Sequence, residues 1–271
     1  MQKSPDRRFI IIGENIHTTR VLTRKSPRFK SVDGVDGLAF ADVDGVDRFL
    51  PISDAIRKGQ DYEEGRIKHL KLAVQTAMQA DHQHQPAATA YIALLARLQE
   101  SAGAAFLDIN VDEISIKLAD QKAAMAWLSG FVQQASGLPL SIDSSNLEVI
   151  AVGIAGCDAD RQRPMLNSAS LERIDALDLV ANGKARVVVT AAGLKGMPAG
   201  VADRVGSLEV GKDADLVLFP ELFICGYPPE DLVRKPAFAL ACREAVEDLA
   251  ATLGDGPAVL VGTVWPEGDK V

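Results

Sequence analysis

Short runs of β-branched and aliphatic residues alternate along the chain with longer stretches whose apolar positions recur at helical spacing, and Gly or Pro punctuates most of the joints. The runs at 9–12, 105–111, 138–142, 163–166 and 185–190 read as buried strands, followed by two more at 216–219 and 258–264. Helical periodicity predicts helices over 63–78, 89–101, 116–135, 147–155, 171–181 and 236–253. Alternation at this spacing implies βαβ units and a mainly parallel sheet or barrel. Residues 21–64 break the rhythm. They have no strong period and carry a local echo, Val32-Asp33-Gly34-Val35-Asp36-Gly37 and Val43-Asp44-Gly45-Val46-Asp47. This segment is expected to be a long solvated loop with short turns. A Ca²⁺ loop is the sharper alternative, but the register of oxygen ligands closed by a bidentate Glu is missing, and it is rejected.

The 271 residues fit one large α/β domain, or one domain plus a fragment. With 47% apolar but only 5% aromatic residues, the core must be built from Ala, Val, Leu and Ile. Asp and Glu total 37 against 29 Lys and Arg, a formal charge of −8, which argues against non-specific nucleic-acid binding. No run approaches the ~18–20 apolar residues of a membrane span. The polar start, Met1 to Arg8, leads into an apolar run too short for a signal-peptide core. Cys157, Cys225 and Cys242 form neither a disulfide framework nor a metal spacing. A soluble, cytoplasmic protein with no nucleic-acid or membrane partner is expected.

In parallel α/β architectures the reactive groups sit at the carboxyl ends of strands. Strand one leads into Gly13-Glu14-Asn15-Ile16-His17, and the second contains Leu107-Asp108-Ile109-Asn110-Val111-Asp112. The third ends in Ile142-Asp143-Ser144-Ser145-Asn146 and the fourth in Leu166-Asn167-Ser168. Asp108, Asn110, Asp143 and Asn167 are therefore expected to converge on one mouth. Such an array suits a polar, amide-rich heterocycle better than a phosphate, which favours Gly-rich N–H cradles or Arg and Lys. The competing reading of each residue taken alone is an N-cap for the next helix. His82-Gln83-His84 with His69 lacks further ligands at metal spacing and reads as surface. Trp127 and Met125 read as core-facing, and Gly193-Leu194-Lys195-Gly196 as plain loop. No nucleophile motif stands out.

Ile11-Ile12-Gly13-Glu14-Asn15-Ile16, Leu107-Asp108-Ile109-Asn110-Val111, Ile142-Asp143-Ser144-Ser145-Asn146, Leu166-Asn167-Ser168 and Gly196-Met197-Pro198 occur in that order. Together, over residues 8–206, they resemble the pterin-binding methyltetrahydrofolate:corrinoid methyltransferases, relatives of dihydropteroate synthase and of the folate module of cobalamin-dependent methionine synthase. The resemblance implies a (β/α)8 TIM barrel that binds methyltetrahydrofolate at its C-terminal face. It also implies a partner corrinoid protein, whose cobalamin receives the N5-methyl group and leaves tetrahydrofolate. Asp143 and Asn167 match the family's pterin hydrogen-bonders, Asp108 and Asn110 the second-strand motif lining the same pocket, and Asn15 the first-strand motif. Relatives often form homodimers.

After Val205 the family's late-strand Asp and Asn are not found. Instead Asp213-Ala214-Asp215-Leu216-Val217-Leu218-Phe219-Pro220-Glu221-Leu222, with the stretch to Pro266, resembles the N-terminal part of a nitrilase-superfamily glutamine amidase of the NAD⁺ synthetase type. Under that resemblance Glu221 maps to the general base of a Glu-Lys-Cys triad, and the Lys and nucleophilic Cys would fall beyond Val271. Cys225 reads as a small buried thiol. Half a triad cannot run acyl transfer. The expected organisation is a methyltransferase-like barrel over 1–206, comprising the first five βα units and the long loop at 21–64, and a nitrilase-like fragment over 207–271. The barrel is then incomplete, or completed by the foreign strand–helix–strand segment, and an unpaired edge would invite association. The expected function is methyl transfer with impaired turnover. The alternatives are an amidase-related fragment and an inactive fusion.

Overall fold

The computed structural model describes residues 10–79, 83–170, 173–190, 216–218, 235–253 and 258–260. Strand β1 (Ile12–His17) is followed by β2 (Leu22–Thr23), β3 (Phe29–Val32), β4 (Val35–Ala41), β5 (Asp47–Pro51), the short helices α1 (Asp54–Arg57) and α2 (Gln60–Glu63), and β6 (Arg66–Ile67). Helices α3 (His69–Met78) and α4 (Gln85–Ser101) lead into β7 (Phe106–Asn110), α5 (Leu118–Ala135), β8 (Leu140–Asp143), α6 (Leu147–Ala155), β9 (Met165–Ala169), α7 (Ala176–Asn182) and β10 (Arg186–Thr190). Strand β11 (Leu216–Leu218), helix α8 (Pro236–Leu253) and strand β12 (Ala258–Leu260) follow.

The chain divides into two compact units, residues 1–166 with 181–186, and residues 167–180 with 187–271. In the first, β1, β7 and β8 are neighbours and run parallel, with Ile12 opposite Phe106 and Leu107 opposite Leu140. In the second, β10, β11 and β12 are parallel, with Val189 opposite Val217 and Leu216 opposite Ala258. The fold is α/β with parallel strands joined through helices, as the alternating pattern implies.

Two of the boundaries that differ from the periodicity lie near the start of the first unit. Strand β1 starts at Ile12 and runs on to His17, carried past Gly13 by a bulge between Gly13 and Ile16. The helix expected from residue 63 starts at His69, because Gly65 takes a φ of 79° and the chain passes through β6 first.

Residues 21–64 are not the long loop that their lack of periodicity implies. They form an antiparallel meander, β3-β4-β5, with β2 paired to β6. The centres of the two echoes, Asp33-Gly34 and Val43 to Val46, are its turns. Asp33 and Gly34 have φ of 50° and 79°, the pair of positive values that a two-residue hairpin needs, and Val32 faces Val35 across it. In the second turn the Asp42 carboxylate accepts the amides of Asp44 (3.0 Å) and Val46 (2.9 Å) and the Arg48 guanidinium (2.8 Å). These bonds, Arg48 foremost, hold its pKa below the usual carboxylate range. Leu38 and Leu50, paired across the meander, are fully buried. Phe40 meets Tyr91 of α4 edge to face at 4.9 Å, and the Tyr91 hydroxyl bonds His69 Nδ1 at 3.1 Å. Burial pushes His69 down to about 4.

Ile109, Ile142, Met125, Val149 and Ile150 sit at zero exposure in the parallel part of the first unit. Trp127, by contrast, is only half-buried and stacks on Phe131 at 5.2 Å, so of the two residues expected to face the core Met125 alone is fully inside. Gly153 lets α6 lie against β8: a Cβ there would fall 2.5 Å from Ile142 Cγ2 and 3.1 Å from Met125 Cγ. Gly153→Ala gains helix propensity of about 1 kcal/mol but forces a close contact costing ~1–3 kcal/mol. Urea unfolding is expected to show a net loss of about 1 kcal/mol, and an unchanged midpoint would contradict the close contact.

Candidate functional site

Parallel pairing places three residues on one rung at the carboxyl ends of adjacent strands: His17 of β1 opposite Asn110 of β7, and Asn110 opposite Asp143 of β8. One rung further in, Asp108 faces Ser141. Alternation in a strand sends residues two apart to the same face, so Asp108 underlies Asn110 and Ser141 underlies Asp143. The Ser141 hydroxyl is buried with no hydrogen-bond partner among the described residues.

Asn110 Nδ2 donates to Asp143 Oδ2 at 2.8 Å. The amide cannot turn over without loss, because its Oδ1 accepts the Asp112 amide at 2.9 Å. Asp112 in turn accepts the Ser144 hydroxyl (2.5 Å) and the Ser145 amide (2.8 Å), which staples the loop after β7 to the loop after β8. His17 Nε2 and Asp108 Oδ2 share a proton-bearing contact of 2.6 Å in the interior, where Asp108 has no exposure. Thr18 donates its amide to the Asn110 carbonyl at 3.0 Å, and its Oγ1 accepts the Glu113 amide at 3.1 Å.

Burial is the main reason Asp143 is raised to about 6. The nearby Asp108 carboxylate adds to it, and the Asn110 hydrogen bond and His17 act against it. The ligating atoms of His17, Asp108 and Asp143 lie within 4.8 Å of one another. Those of His17 and Asp108 are already spent on each other, and Asp143 Oδ2 is held by Asn110. The arrangement is a preorganised acceptor: a half-buried carboxylate aimed by an amide and backed by a buried His–Asp pair.

Of the four residues expected at the mouth and Asn15 of the first-strand motif, Asp108, Asn110 and Asp143 come together. Asn15 lies exposed on the bulge of β1, where its amide donates to Gln99 Oε1 at 3.0 Å. Asn167 is half-buried on β9 in the second compact unit. Glu221, Cys225, His82 and residues 193–196 lie outside the described residues. The N-cap alternative applies to Asn146, whose side chain accepts the Glu148 amide at 2.8 Å, and not to Asp143. His17 is the site residue that the sequence pattern misses. Its signal is that a strand continued to residue 17 brings it opposite Asn110, which the apolar run ending at residue 12 does not disclose.

The family described as pterin binding enzyme matches residues 80–214. This segment, just under half of the chain, is similar to that family. Asp108, Asn110, Asp143 and Asn167 lie within it, whereas Asn15 and His17 precede it. Among solved structures, dihydropteroate synthase from Xanthomonas albilineans in complex with 7,8-dihydropteroate is 14% identical, with a TM-score of 0.39, over 69% of this chain and 83% of that one. The same enzyme in complex with indole-2-carboxylic acid and 6-chloroguanine is 18% identical, with a TM-score of 0.38, over 67% of this chain and 80% of that one. A different likeness is short. Glutamine-dependent NAD(+) synthetases of Synechocystis sp. and Xanthomonas campestris are 47% and 49% identical over 55 residues, 20% of this chain. The chain spans about a tenth of the length of these curated relatives. Among the described residues, no helix is long and apolar enough to cross a membrane.

Proposed function

We propose that this protein binds methyltetrahydrofolate through its pterin and serves the transfer of the N5-methyl group to a corrinoid protein. The observation that supports this reading is the Asn110–Asp143 pair at the ends of parallel strands β7 and β8, inside the segment that matches the pterin binding enzyme family. The 2-amino-4-oxopyrimidine edge of a pterin offers two parallel N–H donors. A carboxylate fixed by an amide neighbour accepts both, and Asp143 Oδ1 carries no hydrogen bond among the described residues. Burial makes the Asp143 charge costly until such donors arrive, so binding energy is concentrated on the remote edge of the substrate. That fixes the methyl-bearing ring in place for in-line displacement. A reduced corrinoid on the partner would supply the nucleophile and keep the methyl group, tetrahydrofolate would leave with a proton from solvent on N5, and the residues of this chain bind and orient the pterin.

The test is calorimetric titration with methyltetrahydrofolate across pH, followed by methyl transfer read from the absorbance of a reduced corrinoid. Asp143 must be ionised to accept two N–H bonds. Affinity is therefore expected to be full above pH 7 and to fall about tenfold per pH unit below about 6, the value to which Asp143 is raised. No saturable binding at pH 7.5 by folded protein overturns the reading. The 47% identity to NAD(+) synthetases over 55 residues supports amide hydrolysis as a second reading. Ammonia release from glutamine by residues 1–271 tests it, and its absence overturns this second reading for these residues.

A further inference from the structure

A cavity of about 170 Å³ opens at the head of α3, lined by Asp61, Tyr62, Arg66, Lys68, Lys71 and Gln75 among others. Lys68, Lys71 and Gln75 are spaced to share one face of the chain entering and forming α3. The other cations of this wall are already matched. Arg66 pairs with Asp61 (2.8 Å) and Glu64 (2.6 Å), and Lys68 pairs with Asp61 (3.1 Å) and with Glu113. Gln75 uses one amide hydrogen on the Ile114 carbonyl at 3.2 Å. Lys71 is half-buried in the same wall and has no ion pair or hydrogen bond among the described residues. Burial, and then the neighbouring Lys68 charge, push its ammonium below the ordinary lysine range. The Glu113 and Asp61 carboxylates act against this from a distance, and an anion entering the cavity beside Lys71 would offset it further.

The cavity lies on the side of the pterin-reading pair. Lys68 holds Glu113, three residues beyond the end of β7. The Glu113 amide bonds Thr18 Oγ1, and the Thr18 amide bonds the carbonyl of Asn110, whose side chain holds Asp143. A folate bound by its pterin at Asp143 projects a rigid aminobenzoyl arm that ends in glutamyl carboxylates. We propose that the cavity at the head of α3 is a carboxylate subsite for the γ-glutamyl tail of a folate, with Lys71 as its anchoring cation. The identity of the tail rests on the pterin reading above; the anion site itself rests on the cavity and its unmatched lysine.

Three titrants separate the two ideas: tetrahydropteroate, which lacks glutamate, methyltetrahydrofolate with three γ-linked glutamates, and tri-γ-glutamate peptide alone. Each is titrated into wild type, Lys71→Gln and Lys71→Arg by calorimetry, with unfolding midpoints confirming that the variants fold. Wild type is expected to bind the triglutamate about tenfold more tightly than tetrahydropteroate, the worth of one charge-assisted hydrogen bond. Lys71→Gln is expected to erase that increment without altering tetrahydropteroate binding, and Lys71→Arg to keep most of it. An equal increment in wild type and Lys71→Gln overturns the subsite while leaving the pterin reading intact. If no folate binds at all, the pterin reading fails, and the peptide decides the subsite. Saturable peptide binding lost in Lys71→Gln supports it, and no peptide binding overturns it.

Discussion

Replacing Asp143 by Asn is expected to weaken methyltetrahydrofolate binding by about 100-fold or more while raising resistance to urea at neutral pH. The binding loss follows from donor and acceptor identity. A carboxylate presents two acceptors to the pterin edge, and hydrogen bonds to a charged group are worth ~1.5–3 kcal/mol each. An amide presents one acceptor and sets an N–H against an N–H. The stability gain follows from linkage. The Asp143 carboxyl is raised to about 6 in the folded protein, chiefly by burial, against ~3.9 in an unfolded chain. A raised carboxyl contributes stability below the unfolded value that is lost as pH rises through the folded one, so above pH 7 the ionised side chain is a burden on the fold. The full shift corresponds to ~3 kcal/mol, and partial exposure of the group reduces the expected gain to ~1–2 kcal/mol. The substituted amide would still accept from Asn110 Nδ2 through its carbonyl oxygen, as Asp143 does at 2.8 Å, so the change removes charge without orphaning its neighbour. Urea midpoints should therefore favour the variant at pH 7.5 and converge toward about pH 3, where the wild-type carboxyl is protonated in both the folded and the unfolded chain. His69, lowered to about 4, titrates equally in both proteins and cancels. Asp143→Ala separates the effects: it loses binding too, but strips the Asn110 amide of its acceptor and gains nothing. Wild-type affinity in Asp143→Asn would move the pterin elsewhere.

What the sequence discloses and what it hides have separate physical causes. Strands β7 and β8 are buried on both faces, so their apolar runs with embedded Asp108, Asn110 and Asp143 stand out against the polar flanks. Helix α6 is legible to the residue, because Asn146 caps one end and Gly156 follows the other. The meander is not, although Asp33-Gly34 is the strongest short hairpin signal a chain can carry. Its strands bury only one face, and the run Leu38-Ala39-Phe40 is too short to stand out as alternation. His17 escapes for another reason: the bulge that shifts β1 against β7 makes the strand longer than its apolar run. Asn15 sits on that bulge, which turns a residue of the expected motif toward solvent.

His17→Ala is expected to cost about 3 kcal/mol of stability. Asp108 has zero exposure, and its Oδ2 meets His17 Nε2 at 2.6 Å. Removing the imidazole takes from the buried carboxylate the hydrogen bond that offsets part of its desolvation. The cost belongs to the buried charge, which a second variant can show. Asp108→Asn in the His17→Ala background removes the charge and is expected to recover about half of the loss, whereas Asp108→Asn alone costs ~1 kcal/mol. Urea unfolding of the four proteins completes the cycle, and additive losses would mean that the two side chains do not act as a pair. The binding site should register the same change. His17 shares its rung with Asn110, and Asp108 is one of the charges that raise Asp143, so uncompensated negative charge beneath the rung makes ionised Asp143 harder to hold. In His17→Ala the fall in methyltetrahydrofolate affinity should therefore begin at a higher pH than in wild type, while Asp108→Asn should move it lower. A buried pair that acted only on stability would leave both pH profiles where the wild type has them.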